Sequence, residues 1–134
     1  MRASMHPVPF VRVRVPGALE RSLQLSLGAV HAPFFTVWDS GAVVLTLQEG
    51  EWARVASKFL SATVERGLRL ISIDAMPDDP VFIRRLADLL TAAGVPASAL
   101  PAFHRDHLVI RAEHADRCLA AIAQLAASEP EQDR

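Results

Sequence analysis

The chain has 134 residues, 51% of them apolar, which is enough to bury a sizeable core as one domain or as two half-sized units without help from disulfides or a structural metal. Its 14 basic residues against 15 acidic ones leave a formal net charge of -1, so no overall field draws a phosphate backbone or an anionic bilayer; neither nucleic acid nor a membrane is an expected partner. Cys118 is the single cysteine, which excludes an internal bridge, and the absence of a secretory start or a membrane-length apolar run points to the cytoplasm.

Residues 1–9, MRASMHPVP, lack periodicity and are expected to fray, as is the polar stretch 128–134. Phe10 to Val15, FVRVRV, alternates apolar and basic side chains as a half-buried strand does, with Arg12 and Arg14 on a solvated face and Pro16-Gly17 as its stop. Leu19, Leu23, Leu27 and Val30 recur at helical spacing, loosened by Gly28. Phe34 to Trp38 and Ala42 to Leu47 read as a hairpin around Asp39-Ser40-Gly41. Trp52, Val55, Ala56, Phe59 and Leu60 trace one helical stripe, and Leu68 to Ala75 returns to period two.

A stronger start follows. Asp79 suits a cap and Pro80 the first helical position, and Gly94 closes the run Phe82, Ile83, Leu86, Leu89, Leu90, Ala93. Ser98 to Phe103 and His107 to Arg111 form a second hairpin with His104-Arg105-Asp106 as its turn; Pro101 cannot donate to a ladder and belongs at an edge, a bulge or a non-bonded position. Ala115, Cys118, Leu119, Ile122 and Leu125 mark the buried side of a last helix, where the thiol fills space.

The order β-α-β-β-α thus occurs twice, over residues 10–64 and 65–127. Moving the second half back by 65 positions sets Phe103 on Trp38 and Val109-Ile110 on Val44-Leu45. This predicts an α+β fold of two ferredoxin-like βαββα repeats, each an antiparallel sheet covered by its helices. Three strands per repeat leave room for a fourth borrowed from its neighbour, so strand exchange between the repeats is allowed.

The stretch from Asp79 to Leu125 resembles the second half of the ACT-domain family, and more closely the small bacterial proteins with paired ACT repeats related to the amino-acid-sensing CASTOR proteins. The positions that carry the likeness are Ala93-Gly94-Val95, Pro101-Ala102-Phe103, Asp106 and Leu108-Val109; FFTVWDSGAVVLTL at 34–47 is similar to the family's first repeat. The resemblance implies a regulatory module that binds a small effector, commonly an amino acid, at an interface between repeats, often in a dimer. It places pocket-lining residues at Asp78, Asp79 and Val81, and at Ala102, Phe103, His104 and Asp106.

The chemistry of these residues agrees. Backbone N–H groups at Val81 and Phe82, together with a helix dipole, favour a carboxylate; Asp78, Asp79 or Asp106 can meet an ammonium group, and Phe103 can cover an apolar stem. The plainer alternative is that Asp79 caps its own helix and the pocket is filled. Val81 stands where a small residue would let a ligand approach, and Pro101-Ala102 replaces a hydroxyl pair, which suits a protein-interaction or structural module. His104, His107, His114 and Asp106 lack metal-site spacing, and neither Cys118 nor Ser98 sits at a nucleophile elbow, so no metal, cofactor or catalytic residue is expected.

Overall fold

A computed structural model describes residues 2–74, 80–102 and 105–128. It contains strands β1 (Arg2–Met5), β2 (Phe10–Pro16), β3 (Phe34–Asp39), β4 (Ala42–Gln48), β5 (Thr63–Asp74), β6 (Ala97–Ala102) and β7 (Arg105–Arg111). The α-helices are α1 (Glu20–Leu27), α2 (Glu49–Val55), α3 (Pro80–Ala92) and α4 (Ala115–Ser128). The chain divides into two compact units, Pro7–Leu68 and Met1–His6 with Arg69–Arg134, and each builds its own core.

In the first unit the alternation of β2 sends Val11, Val13 and Val15 to the helix side, where they pair in register with Leu47, Leu45 and Val43 of β4. Leu23 of α1 and Trp52 and Val55 of α2 close over them, with the Trp52 indole stacked on Phe59 at 6.2 Å. Arg12 and Arg14 take the other face and meet Glu65 and Asp39. The strand order is β3-β4-β2-β5, completed by the first half of β5. The β2–β5 register slips between Phe10 and Arg12, where Gly67 with φ of +77° takes up a bulge that a side chain would strain.

The second unit has the same order, β6-β7-β5-β1, opened by the second half of β5 and covered by α3 and α4. Here Ile71, Ile73, Leu108 and Ile110 face Phe82, Leu86 and Leu90 of α3 and Cys118, Ile122 and Leu125 of α4. The arrangement in each unit is a split βαβ sheet, the ferredoxin-like pattern.

Four sequence expectations are corrected. Residues 2–5 do not fray: they pair with Ile71–Asp74, and Ala3 and Met5 pack on the core, so the start of the chain supplies the fourth strand of the second unit. β5 begins at Thr63, five residues before the period-two run, because the charged TVERG segment pairs with β2 and leaves its charges in solvent. Leu60 is not on the α2 stripe; the helix tightens into a 3-10 turn at Ala56–Lys58 and leaves Leu60 88% exposed. Asp106 is not in a turn, since β7 starts at Arg105 and sets Asp106 opposite Pro101. The two hairpins therefore correspond with an offset of 63 (Asp39 to Ala102, Ala42 to Arg105) rather than 65.

Candidate functional site

Of the sequence-predicted residues, Val81, Phe82, Ala102 and Asp106 are described, at the start of α3 and in the β6–β7 hairpin of the second unit. β5 ends at Asp74, α3 begins at Pro80, and antiparallel β7 starts at Arg105 beside it. In register, Arg2 of β1 opposes Asp74, and Ala102 opposes Arg105. Asp78, Asp79, Phe103 and His104 lie outside the described residues.

α3 forms because Phe82, Leu86 and Leu90 recur on one face, and it stops at Gly94, whose φ of +73° lets the N–H of Val95 reach back to the Leu90 carbonyl at 2.9 Å. Val81 stands 53% exposed in its first turn, whereas the Phe82 ring is in the core. Any role for Phe82 in binding is confined to its backbone N–H.

Period-two alternation from the core residues Leu108 and Ile110 puts Asp106 on the helix-facing side of β7, and it is half-buried there. The corresponding position of the first unit, opposite Trp38 in register, is Val43, a core residue only 3% exposed. One unit thus carries a carboxylate where the other carries packed hydrocarbon. On the other face of the sheet His107 is buried, with Nδ1 2.8 Å from the Ser72 hydroxyl, a bond that ties β7 to β5. His114 Nδ1 lies 3.1 Å from the Arg117 guanidinium. Among the described residues no three His, Cys, Asp or Glu side chains gather to hold a metal.

The matching edge of the first unit is closed by its own chain. The Gly17 N–H donates to the Gly41 carbonyl at 2.8 Å, and a Cβ on Gly17 would lie 3.1 Å from the Trp38 ring. The indole N–H donates to Glu20 at 3.2 Å, and Arg14 grips the Asp39 carboxylate and its carbonyl, each at 2.9 Å. The hydrogen bond from Arg14 and its positive charge hold Asp39 below the usual carboxylate range. Trp38, 55% exposed and bonded to Glu20, forms a lid on the α1 start.

A second polar cluster anchors the loop before β3. Glu51 accepts from the His31 backbone N–H at 2.8 Å and from Arg54 at 2.8 Å, and its Oε2 lies 3.1 Å from His31 Nδ1. These partners, the backbone bond first, depress its pKa. Cys118 is fully buried and burial pushes its thiol up to about 11.

No family model and no curated protein matches the chain. Solved structures do. The ligand-free regulatory subunit of aspartate kinase from Thermus thermophilus superposes with a TM-score of 0.72 at 13% identity, over 93% of this chain and 97% of that one. Aspartokinase III of E. coli, solved in complex with aspartate and ADP, gives 0.67 at 10% identity over 94% of this chain, which spans 33% of that enzyme. A Vibrio cholerae protein of unknown function, described as a possible transport protein, gives 0.65 at 20% identity over 90% of this chain and 85% of that one. At these identities the likeness is one of fold: α+β, ferredoxin-like, of the type found in ACT regulatory domains.

Proposed function

We propose that the chain is a regulatory module of the ACT type that binds a small effector with the charge pattern of a free amino acid, at the edge of the second unit where α3 begins beside the β6–β7 hairpin. The observation that carries this reading is Asp106, a half-buried carboxylate on the helix-facing side of the sheet at a position the first unit fills with Val43. A carboxylate costs free energy in such a place unless a cation meets it. An ammonium group is a fitting partner, with the effector's own carboxylate drawn to the first turn of α3 at Val81. Asp78, Asp79, Ala102, Phe103 and His104 complete the proposed lining.

The shared fold with aspartate kinase regulatory subunits supports a regulatory rather than catalytic role, and the resemblance to paired-ACT sensors supports an amino acid as effector. The closed edge of the first unit argues for one such site per chain. Thermal unfolding with each common amino acid at millimolar concentration tests it. One of them should raise the melting temperature by preferential binding to the folded state, and Asp106→Asn should abolish the shift. No shift with any of them would refute the reading.

The second reading is a protein-interaction module with a filled pocket. It is favoured by Val81, whose branched side chain stands at the mouth of the proposed site. It predicts tolerance of Asp106→Leu with a gain in stability, as expected when a poorly paired carboxylate is replaced by hydrocarbon.

A further inference from the structure

Each unit uses its second helix to hold the chain that leaves its first, and the two do so with different chemistry. With the hairpin offset of 63, Glu51 and Arg54 of α2 correspond to His114 and Arg117 at the start of α4. In the first unit Glu51 accepts from the His31 N–H, and Arg54 is bound to Glu51. In the second unit Arg117 does the holding. Its Nη1 donates to the Ala93 carbonyl at 3.0 Å, just past the end of α3, and its Nη2 lies 3.1 Å from His114 Nδ1. A helix end leaves its last carbonyls without an intrahelical donor, and a cation there also meets the negative end of the helix dipole.

A guanidinium can only donate, so this contact fixes the His114 ring with a bare Nδ1 and its proton on Nε2. A second proton has one place to go, Nδ1, where it removes the acceptor and sets imidazolium against guanidinium. His31 has the opposite logic. Its Nδ1 lies 3.1 Å from Glu51 Oε2 and 3.2 Å from Arg54 Nη1, so a protonated ring there still has a carboxylate to donate to. No other charge is placed to rescue the His114 contact. On its own turn Glu113 is held by Arg111 at 3.1 Å, and on α4 Asp116 stands two positions on, a spacing that does not face. The last turn of α3 and the chain after it, from Leu89 to Ala99, carry no ionisable side chain.

We propose that His114 and Arg117 form a proton-operated latch on the end of α3. With the ring neutral, Arg117 is steered onto the Ala93 carbonyl; with the ring protonated, it leaves. The end of α3 is then kept only by its backbone bonds, Gly94 N–H to the Thr91 carbonyl at 3.0 Å and Val95 N–H to the Leu90 carbonyl at 2.9 Å. Mild acid thus loosens the bend between α3 and β6 and leaves the Glu51 clamp of the first unit shut. Arg117 is exposed and His114 half-buried, and contacts near the surface add little to global stability, so the response is local. It is independent of the effector reading, because the latch lies at the opposite end of α3 from Val81.

Nuclear magnetic resonance of the whole protein tests this, following the Ala93 carbonyl carbon and the His114 ring from about pH 8 to about pH 5, the range in which histidine changes charge. In the wild type the two signals should move together with one midpoint, and corrected exchange protection at Gly94 and Val95 should fall several-fold at the acid end. In His114→Gln, whose amide oxygen accepts at every pH, the Ala93 carbonyl and the protection should stay level. In Arg117→Gln the ring should still titrate while the Ala93 carbonyl stays level, and this variant alone decides the matter if the glutamine at 114 fails to fold. The His31 N–H should keep its protection throughout. An Ala93 signal that stays flat while His114 titrates in the wild type, or one that moves as much in either variant, would overturn the proposal, as would loss of protection at His31 in step with Gly94.

Discussion

Gly17 is the position where a single methyl group tests the first unit's packing. A Cβ there would lie 2.6 Å from the Gly41 carbonyl oxygen and 3.1 Å from a Trp38 ring carbon, so either the α1 entry or the β3–β4 turn must give way. The obstacle at 2.6 Å is backbone, which cannot swing aside as a flexible side chain can. Overpacking of this kind costs about 1–3 kcal/mol, and separating the two strands of chain also weakens the 2.8 Å bond from Gly17 N–H to Gly41, about 0.5–1.5 kcal/mol. Gly17→Ala should therefore lose about 2–4 kcal/mol, and at roughly 4 °C per kcal/mol for a chain of this size the melting temperature should fall by about 8–16 °C. Gly50→Ala is the matched control. Nothing lies within 4 Å of a Cβ at Gly50 in α2, so the same substitution should raise stability by about 0.5–1 kcal/mol through helix propensity alone. Calorimetric melting of both variants is the assay. A Gly17→Ala protein that melts with the wild type, or a Gly50→Ala protein that melts well below it, would refute the account of the closed edge.

Removal of residues 1–6 should strip amide-exchange protection from the 71–74 segment of β5, leaving that of Val11 and Val13 in β2 largely intact, because β1 completes the second unit and not the first. Acid should destabilise the fold in a defined window: Asp39 and Glu51 have folded pKa values below their ordinary 3.8 and 4.5, so their contribution is full above the unfolded values and is lost as pH falls through the folded ones. The urea midpoint should hold level down to about pH 5 and drop below about pH 4, with a shallower drop in Arg14→Gln. Cys118, fully buried with its thiol pushed up to about 11, should resist thiol reagents at mildly alkaline pH in the native protein and react only on unfolding. Leu60→Ser should leave the melting temperature within about 2 °C, since that side chain already stands in water.

The strands and helices that bury a regular stripe were legible from residue pattern. FVRVRV announced β2, and the Pro80-to-Gly94 punctuation announced α3, because in both the local spacing of apolar groups is itself the quantity that packing rewards. The segments that escaped notice earn their structure from a distant partner. RASM has no alternation of large apolar groups, and TVERG is largely polar; each is a strand only because β5 and β2 offer them unpaired peptide groups. Asp106 was found as a candidate but put in a turn, since a tract of His, Arg and Asp reads as surface until the ladder with Pro101 assigns it a strand position.

Residue order alone was sufficient to specify the α+β class, since periodicity and turn chemistry are local properties. Tertiary structure decided which strand completes which unit and which helix start is covered by its own hairpin. Those outcomes depend on register, and register is set only when two stretches of chain far apart in sequence share one ladder and one core.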